Sequence, residues 1–364
     1  MTMACVEDTP AWQPHTKNII HHVDEVEVEV EDDGVANNND DEPERVTVRI
    51  PNMFVSFLAE QPRVNPNYDW VRPQAEAWFS DFCSFDKRMS GLLTKADASY
   101  FVAVVAPDAA PKEFRTMCDW MNWVFPYDDI FDEGELRDKP EAAAEVMASL
   151  MRPMAEALKG GEGKVSVPLQ SSSEKRPPLV RLHDTIWERL QERCTRGALR
   201  RYAQAMARYC AGALIHVEDF ASNVAPTPEE MLAKRQLSSG VYPLFQLVEY
   251  AHALRIPDRV FEHWTIRELE ELGSDIVAII NDLMSYIKEE ADAVPHNLVA
   301  AARIGGLSAQ EAFDYVGGML DSRFERWERA VAQVPSWGND VVDEHVRMYI
   351  DGVANTVRAN LNWR

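Results

Sequence analysis

The chain has 364 residues, 46% of them hydrophobic and 27% charged, a balance that excludes collagen-like, mucin-like and wholly disordered chains. Sixty acidic residues against 37 basic ones give a net charge of −23. Such a surface repels phosphate backbones and anionic membranes, so neither nucleic acid nor membrane is expected as a partner, and a phosphate-bearing substrate would need cations between it and the protein.

The five cysteines, Cys5, Cys83, Cys118, Cys194 and Cys210, are odd in number and form no C-x-x-C pair. They read as reduced, buried thiols, not a disulfide frame or zinc site. The stretch Met1 to Pro10 has no basic region followed by an apolar one, and no run of about 18 apolar residues follows anywhere. The expectation is a soluble cytoplasmic protein.

Residues 1–46 read as an acidic disordered tail, because the first 50 residues hold thirteen acids against three bases. Within it, D-E-V-E-V-E-V-E-D-D alternates with a strand period, but its like charges repel, and few large apolar groups offset ordering entropy. From residue 47 the pattern turns helical. Trp78, Phe82, Phe85 and Met89 are spaced as one amphipathic helix, as are Phe114, Met117, Met121, Val124 and Phe125. Ile186, Leu190, Cys194 and Ala198 repeat the spacing, then Val277, Ile280, Met284 and Ile287. A stretch at about 159–178, with G-G-E-G, S-S-S and P-P, reads as a flexible loop joining two helical halves of one all-α domain over 47–364.

Two oxygen-rich clusters stand out. In Y-D-D-I-F-D-E, Asp128 and Asp132 are four apart and share one face of a helix. They sit at its C-terminal end, the wrong end for negative charge, and a hard divalent cation would relieve the repulsion. In N-D-L-M-S-Y-I-K-E, Ser285 lies roughly 40° and Glu289 roughly 80° around the helix from Asn281. An amide oxygen, a hydroxyl and a carboxylate thus line one side, with Lys288 on the same face, where an ammonium could meet a phosphate. Metal ions between the clusters would hold an anionic substrate, and the apolar neighbours suit one with a greasy tail.

The pair D-D-x-x-D-E and N-D-x-x-S-x-x-K-E, about 150 residues apart in a helical chain, resembles the class I terpene cyclases. The D-W-x-x-W-V-F and G-V-Y-P runs are similar to those of fungal-type sesquiterpene synthases of the presilphiperfolanol synthase group. The resemblance covers about 47–364 and implies an all-α, single-domain helical bundle around a central apolar pocket. It also implies a site of three Mg²⁺ ions, with Asp128 and Asp132 on one side and Asn281, Ser285 and Glu289 on the other. Lys288 and Arg235, the latter 46 residues before Asn281, would bind the diphosphate of farnesyl diphosphate. Ionisation and cyclisation to a sesquiterpene would follow, with no dedicated general base.

Two departures from the family pattern bear on this. Gln236 stands where a second Arg is usual, and N-x-x-W at Asn360–Trp363 is followed only by Arg364, without the Arg-Tyr pair that closes over the diphosphate. The alternatives are therefore a catalytically weak or inactive relative and a prenyltransferase, which usually carries two D-D-x-x-D motifs; if the pair is dispensable here, Arg358 or Arg364 is the nearest candidate to perform the closure. Phe125 and Met121 share the face of Asp128, and Trp120, Trp123, Phe245 and Trp363 are further pocket candidates, although aromatics at helical spacing are more often core. Oligomeric state is not legible.

Overall fold

Apolar spacing of three and four residues becomes helix over most of the computed structural model, which describes residues 26–31, 45–132, 134–159, 176–222, 226–291 and 296–363. In chain order the helices are α1 (Tyr68–Cys83), α2 (Lys87–Ala96), α3 (Ala98–Val105), α4 (Pro111–Asp132), α5 (Pro140–Met151), α6 (Ala155–Leu158), α7 (Pro178–Arg193) and α8 (Arg196–Ser222). Then come α9 (Pro228–Ser238), α10 (Val241–Ala251), α11 (Asp258–Phe261), α12 (Trp264–Ala291), α13 (Leu298–Ile304), α14 (Ala309–Ala332) and α15 (Asp340–Trp363). Among the described residues, no helix is long and apolar enough to cross a membrane.

α10 is the hub. Every residue in it except Tyr242 is buried, and α4, α8, α12 and α15 pack around it. α3 closes the gap between α4 and α15. One apolar core runs from Val30 to Leu361 and draws on helices from both sides of the 159–178 stretch. Most of that stretch, residues 160–175, lies outside the described residues.

Two expected helices are each broken in two. The 78–89 period spans α1 and α2, because the chain turns left-handed at Ser84 (φ 56°) and Asp86 caps α2 by accepting the Met89 N–H at 2.8 Å. The 186–198 period spans α7 and α8, because Cys194 is extended and the Thr195 hydroxyl accepts the Ala198 N–H. At both places a local cap overrides the apolar period.

The tail also needs correction. Residues 26–31, assigned above to disorder, form strand β1 (Val26–Glu31), antiparallel to β2 (Arg45–Ile50). The register sets Glu27 opposite Arg49, so a cross-strand cation offsets part of the repulsion along β1. Val30 and Val48 are buried, and the pair packs on α12 and α14. The rest of residues 1–44 lies outside the described residues. The thiols follow expectation in part: Cys118 and Cys210 are buried, Cys83 and Cys194 only half-buried, and all four are free.

Candidate active site

The end of α4 carries the first cluster. Pro126 lies inside this helix and cannot donate a backbone N–H. Two residues on, half-buried Asp128 accepts a hydrogen bond from the Tyr209 hydroxyl of α8 at 2.7 Å. Burial, then the neighbouring Asp132, push the Asp128 carboxyl well above the usual range, against the Tyr209 bond. Asp132, 47% exposed, lies 3.4 Å from His216 Nε2. Partial burial raises it, His216 and Arg235 oppose that, and Glu289 adds to it.

α12 carries the second cluster. Its apolar run Ile276–Ile280 is buried, which anchors the helix, and the polar residues follow on its less buried C-terminal part. Asn281, Ser285, Lys288 and Glu289 are all half-buried, and the Ser285 hydroxyl donates to the Asn281 carbonyl at 2.8 Å. Asp282, fully buried, was quoted in the motif above without a role. One of its oxygens accepts from Arg235 at 2.8 Å and the other from the Leu298 N–H at 2.9 Å.

Arg235, on α9, joins the two clusters. Its Nη2 donates to Asn281 Oδ1 at 3.0 Å as well as to Asp282, while its Nε is buried with no partner. Burial opposes its charge, but Asp282, Glu289, Asp132 and Asp128 together hold its pKa above the ordinary value. The guanidinium therefore feels acids from both α4 and α12. The next residue points elsewhere: Gln236 donates to Asp275 at 2.5 Å, beside Arg323.

Close backbone packing sets α9 in place. A Cβ on Gly212 of α8 would stand 2.5 Å from the Leu237 carbonyl carbon and 2.7 Å from the Ser238 nitrogen. Gly240 then adopts φ +68° between α9 and α10, a left-handed turn that suits glycine. Leu237 to Gly240 thus lie against α8, and Arg235 is directed at α12.

Several residues of the site escaped sequence reasoning. Tyr209 and His216 come from α8 and carry no local signal. The His216 and His296 rings meet edge to face at 4.1 Å, both with pKa lowered by burial, and His296 Nε2 is buried with no partner. Asn297 Nδ2 donates to Glu289 Oε2 at 2.8 Å. A helix-start residue type before the apolar run L-V-A-A-A could have flagged it.

The aromatic candidates divide. Trp120 donates to the Tyr202 hydroxyl, and Trp123 donates to the Leu179 carbonyl and stacks on Tyr127, so both belong to the core between α4, α7 and α8. Phe245 is fully buried on α10. Half-buried Phe125 stacks on Trp363 at 5.1 Å, and Trp363 donates to the Ala96 and Asp97 carbonyls. Arg358 is bound to the Phe57 carbonyl and to Glu60, and Arg364 lies outside the described residues.

The donors suit a hard cation. Asn281, Ser285, Glu289, Asp128 and Asp132 all offer oxygen. Among the described residues, no three His, Cys, Asp or Glu side chains converge on a common metal position. Mg²⁺ binds through one or two carboxylates with substrate phosphates completing its shell. The unpartnered Arg235 Nε fits the same picture, because a phosphate oxygen would satisfy it.

Residues 119–326 match the family described as Terpene synthase family 2, C-terminal metal binding. The silphinene synthase of Penicillium patulum is 34% identical over 319 residues, covering 87% of this chain and 84% of that protein. The (+)-eremophilene synthase of Gibberella fujikuroi is 33% identical over 318 residues, covering 87% and 86%. Among solved structures, the linalool/nerolidol synthase of Streptomyces clavuligerus with 2-fluorogeranyl diphosphate aligns at TM-score 0.69 and 23% identity, over 83% of this chain and 96% of that one. The germacradien-4-ol synthase of Streptomyces citricolor aligns at 0.69 and 21%, over 84% and 95%. Structural likeness at that identity speaks for the all-α fold.

Proposed function

Because the chain belongs to the terpene synthase family, as a fungal-type class I member and a terpene cyclase, we propose that it converts farnesyl diphosphate to a cyclic sesquiterpene in the presence of Mg²⁺. The observation that carries the reading is Arg235. A half-buried cation between two acidic clusters, with one buried N–H unmatched, is arranged for an anion that brings its own metal ions.

In this reading Asp128 and Asp132 hold metal from the α4 side, and Asn281, Ser285 and Glu289 from the α12 side, three ions in all. Bound Mg²⁺ supplies positive charge to the departing diphosphate. Arg235 and Lys288 donate to the diphosphate oxygens as the allylic C–O bond breaks and its electron pair leaves with the phosphate. The carbocation then closes on the chain's own double bonds. Met121 and Phe125, on the Asp128 side of α4, help exclude water. Proton loss or water capture ends the cascade, giving a hydrocarbon or an alcohol. Residues 47–364 acting as one catalytic unit, with no nucleic-acid or membrane partner and in the cytoplasm, belong to the same proposal.

The test is incubation of purified protein with farnesyl diphosphate and Mg²⁺, followed by analysis of extracted volatiles. Cyclic sesquiterpene is expected, and excess EDTA should abolish it. Full turnover in EDTA, or chain elongation when isopentenyl diphosphate is added, would refute the proposal.

A further inference from the structure

With Glu289 taken as a metal ligand, as above, we propose that Asn297, outside both motifs, is a positioning residue that holds the Glu289 carboxylate for its ion. Asn297 is fully buried immediately before α13. Its side chain has two N–H groups and two acceptor lone pairs, and all are used. Nδ2 donates to the Asp282 carbonyl at 2.9 Å and to Glu289 Oε2 at 2.8 Å. Oδ1 accepts from the Val299 N–H at 2.7 Å and the Ala300 N–H at 3.3 Å.

The bridge has a definite geometry. Asp282 and Glu289 are seven residues apart on α12, hence about 20° apart around the axis and roughly 10 Å along it. Asn297 spans that gap from a separate segment. Glu289 is long and its rotamer freedom is costly to fix, and a neutral amide on Oε2 fixes it without cancelling its charge. Oε1 is left for the cation. A lysine at the same place would compete with the metal, and an aliphatic residue would leave the carboxylate loose. Asn297 meets Asp282 at its backbone carbonyl, and Arg235 meets it at its carboxylate. Contacts therefore run Glu289–Asn297–Asp282–Arg235–Asn281, and the diphosphate donor and the metal ligand are aligned through the two fully buried residues Asn297 and Asp282.

The competing role is structural, since Asn297 also caps α13. Asn297→Ser separates the two, because serine caps as well as asparagine but is too short to reach Glu289. Three quantities are measured on the full chain: melting temperature without metal, Mg²⁺ dependence of inorganic diphosphate binding by calorimetry, and Mg²⁺ half-saturation of turnover. Asn297→Ser should melt close to the parent, while both Mg²⁺ midpoints rise roughly 10–100-fold, the usual range for a residue that orients a ligand. Asn297→Asp keeps the cap and sets a carboxylate against Glu289, so it should show at least the same rise. Glu289→Gln should raise the midpoints too, and adding Asn297→Ser to it should cost little more, because the pair acts as a unit. A drop in melting temperature with Mg²⁺ midpoints unchanged in both Asn297 variants overturns the inference alone. Unchanged midpoints in Glu289→Gln overturn the ligand reading of Glu289, and the inference falls with it.

Discussion

α8 carries an ion cluster near each end, and each is organised around one arginine. Near its start, Arg201 donates to both oxygens of Glu249 at 2.9 and 2.6 Å, to the Ile256 carbonyl at 3.3 Å and to Asp258, and it lies 4.0 Å over the Phe261 ring. Near its end, about 22 Å along the helix, His216 and Tyr209 face the cluster in which Arg235 reaches Asn281 and Asp282 and leaves Nε unmatched. Both guanidiniums are held above the usual pKa by surrounding acids, against burial. What separates them is saturation. Arg201 is filled by protein, as a clamp between α8, α10 and α11 should be. Arg235 faces more acid than it neutralises and keeps a donor free, an arrangement that costs stability without a ligand.

The largest effect expected from this contrast is at Arg201. Arg201→Met leaves Glu249, which is fully buried, without its counter-charge. Breaking a buried pair from one side costs about 3–5 kcal/mol. Urea unfolding should show that loss, while Mg²⁺ half-saturation of the surviving folded protein stays at the parent value. A variant that melts normally but loses Mg²⁺ response would put the Arg201 cluster in the active site and end the comparison.

Arg235→Gln should behave in the opposite way. Asp282 keeps the Leu298 N–H, so the stability loss should be about 1.5–3 kcal/mol, that of one charged hydrogen bond. Turnover should fall roughly 10²–10³-fold, as when one donor to a developing anion is removed. The pair of measurements is decisive: if Arg235→Gln destabilises as much as Arg201→Met and its folded fraction turns over normally, the unmatched Nε has no functional meaning.

Sequence patterns capture the helices well and their interruptions poorly. The periods through Trp78–Met89 and Ile186–Ala198 run straight across Ser84 and Cys194, because periodicity records which side faces the core and not where a cap stops the helix. Glu27 reads as repelled by its neighbours because a linear reading sees the charges along one strand, and Arg49 comes to face it only after pairing. The same limit applies at the site. Asp128, Asp132, Asn281, Ser285 and Glu289 fall in two short motifs whose spacing is visible. Tyr209, which holds Asp128 from 81 residues away, is one tyrosine among ten until α4 meets α8. Arg235 is intermediate. Its distance to Asn281 within the resembled family marks it in the sequence, and its contact with Asn281 and Asp282 requires the close approach of α9 to α8 at Gly212.

The smallest effect lies in how the acids at the open cluster titrate. Asp128 is held well above its ordinary value by burial and by Asp132. An acid whose pKa is raised on folding keeps its proton in the native state while the unfolded chain has released it. Its contribution to stability is therefore present below the ordinary aspartate range, near 4, and is lost as pH rises through the raised value. Without metal, the protein should thus lose stability with rising pH at this position. His216 and His296, lowered by burial, act with the opposite sign around their ordinary value of 6.5. Both effects are present in a bare melting curve, so the quantity to measure is a difference. Asp128→Asn resembles protonated Asp128 at every pH, and both chains share the histidines. In EDTA the two should melt together at pH 4.5, and the variant should melt progressively higher than the parent as pH approaches 8. Mg²⁺ with inorganic diphosphate should then reverse the order at pH 8, because only the parent can use the carboxylate charge that had destabilised it. A melting difference that stays flat with pH, or a variant that gains as much from Mg²⁺ as the parent, would mean that Asp128 carries no stored repulsion and holds no metal.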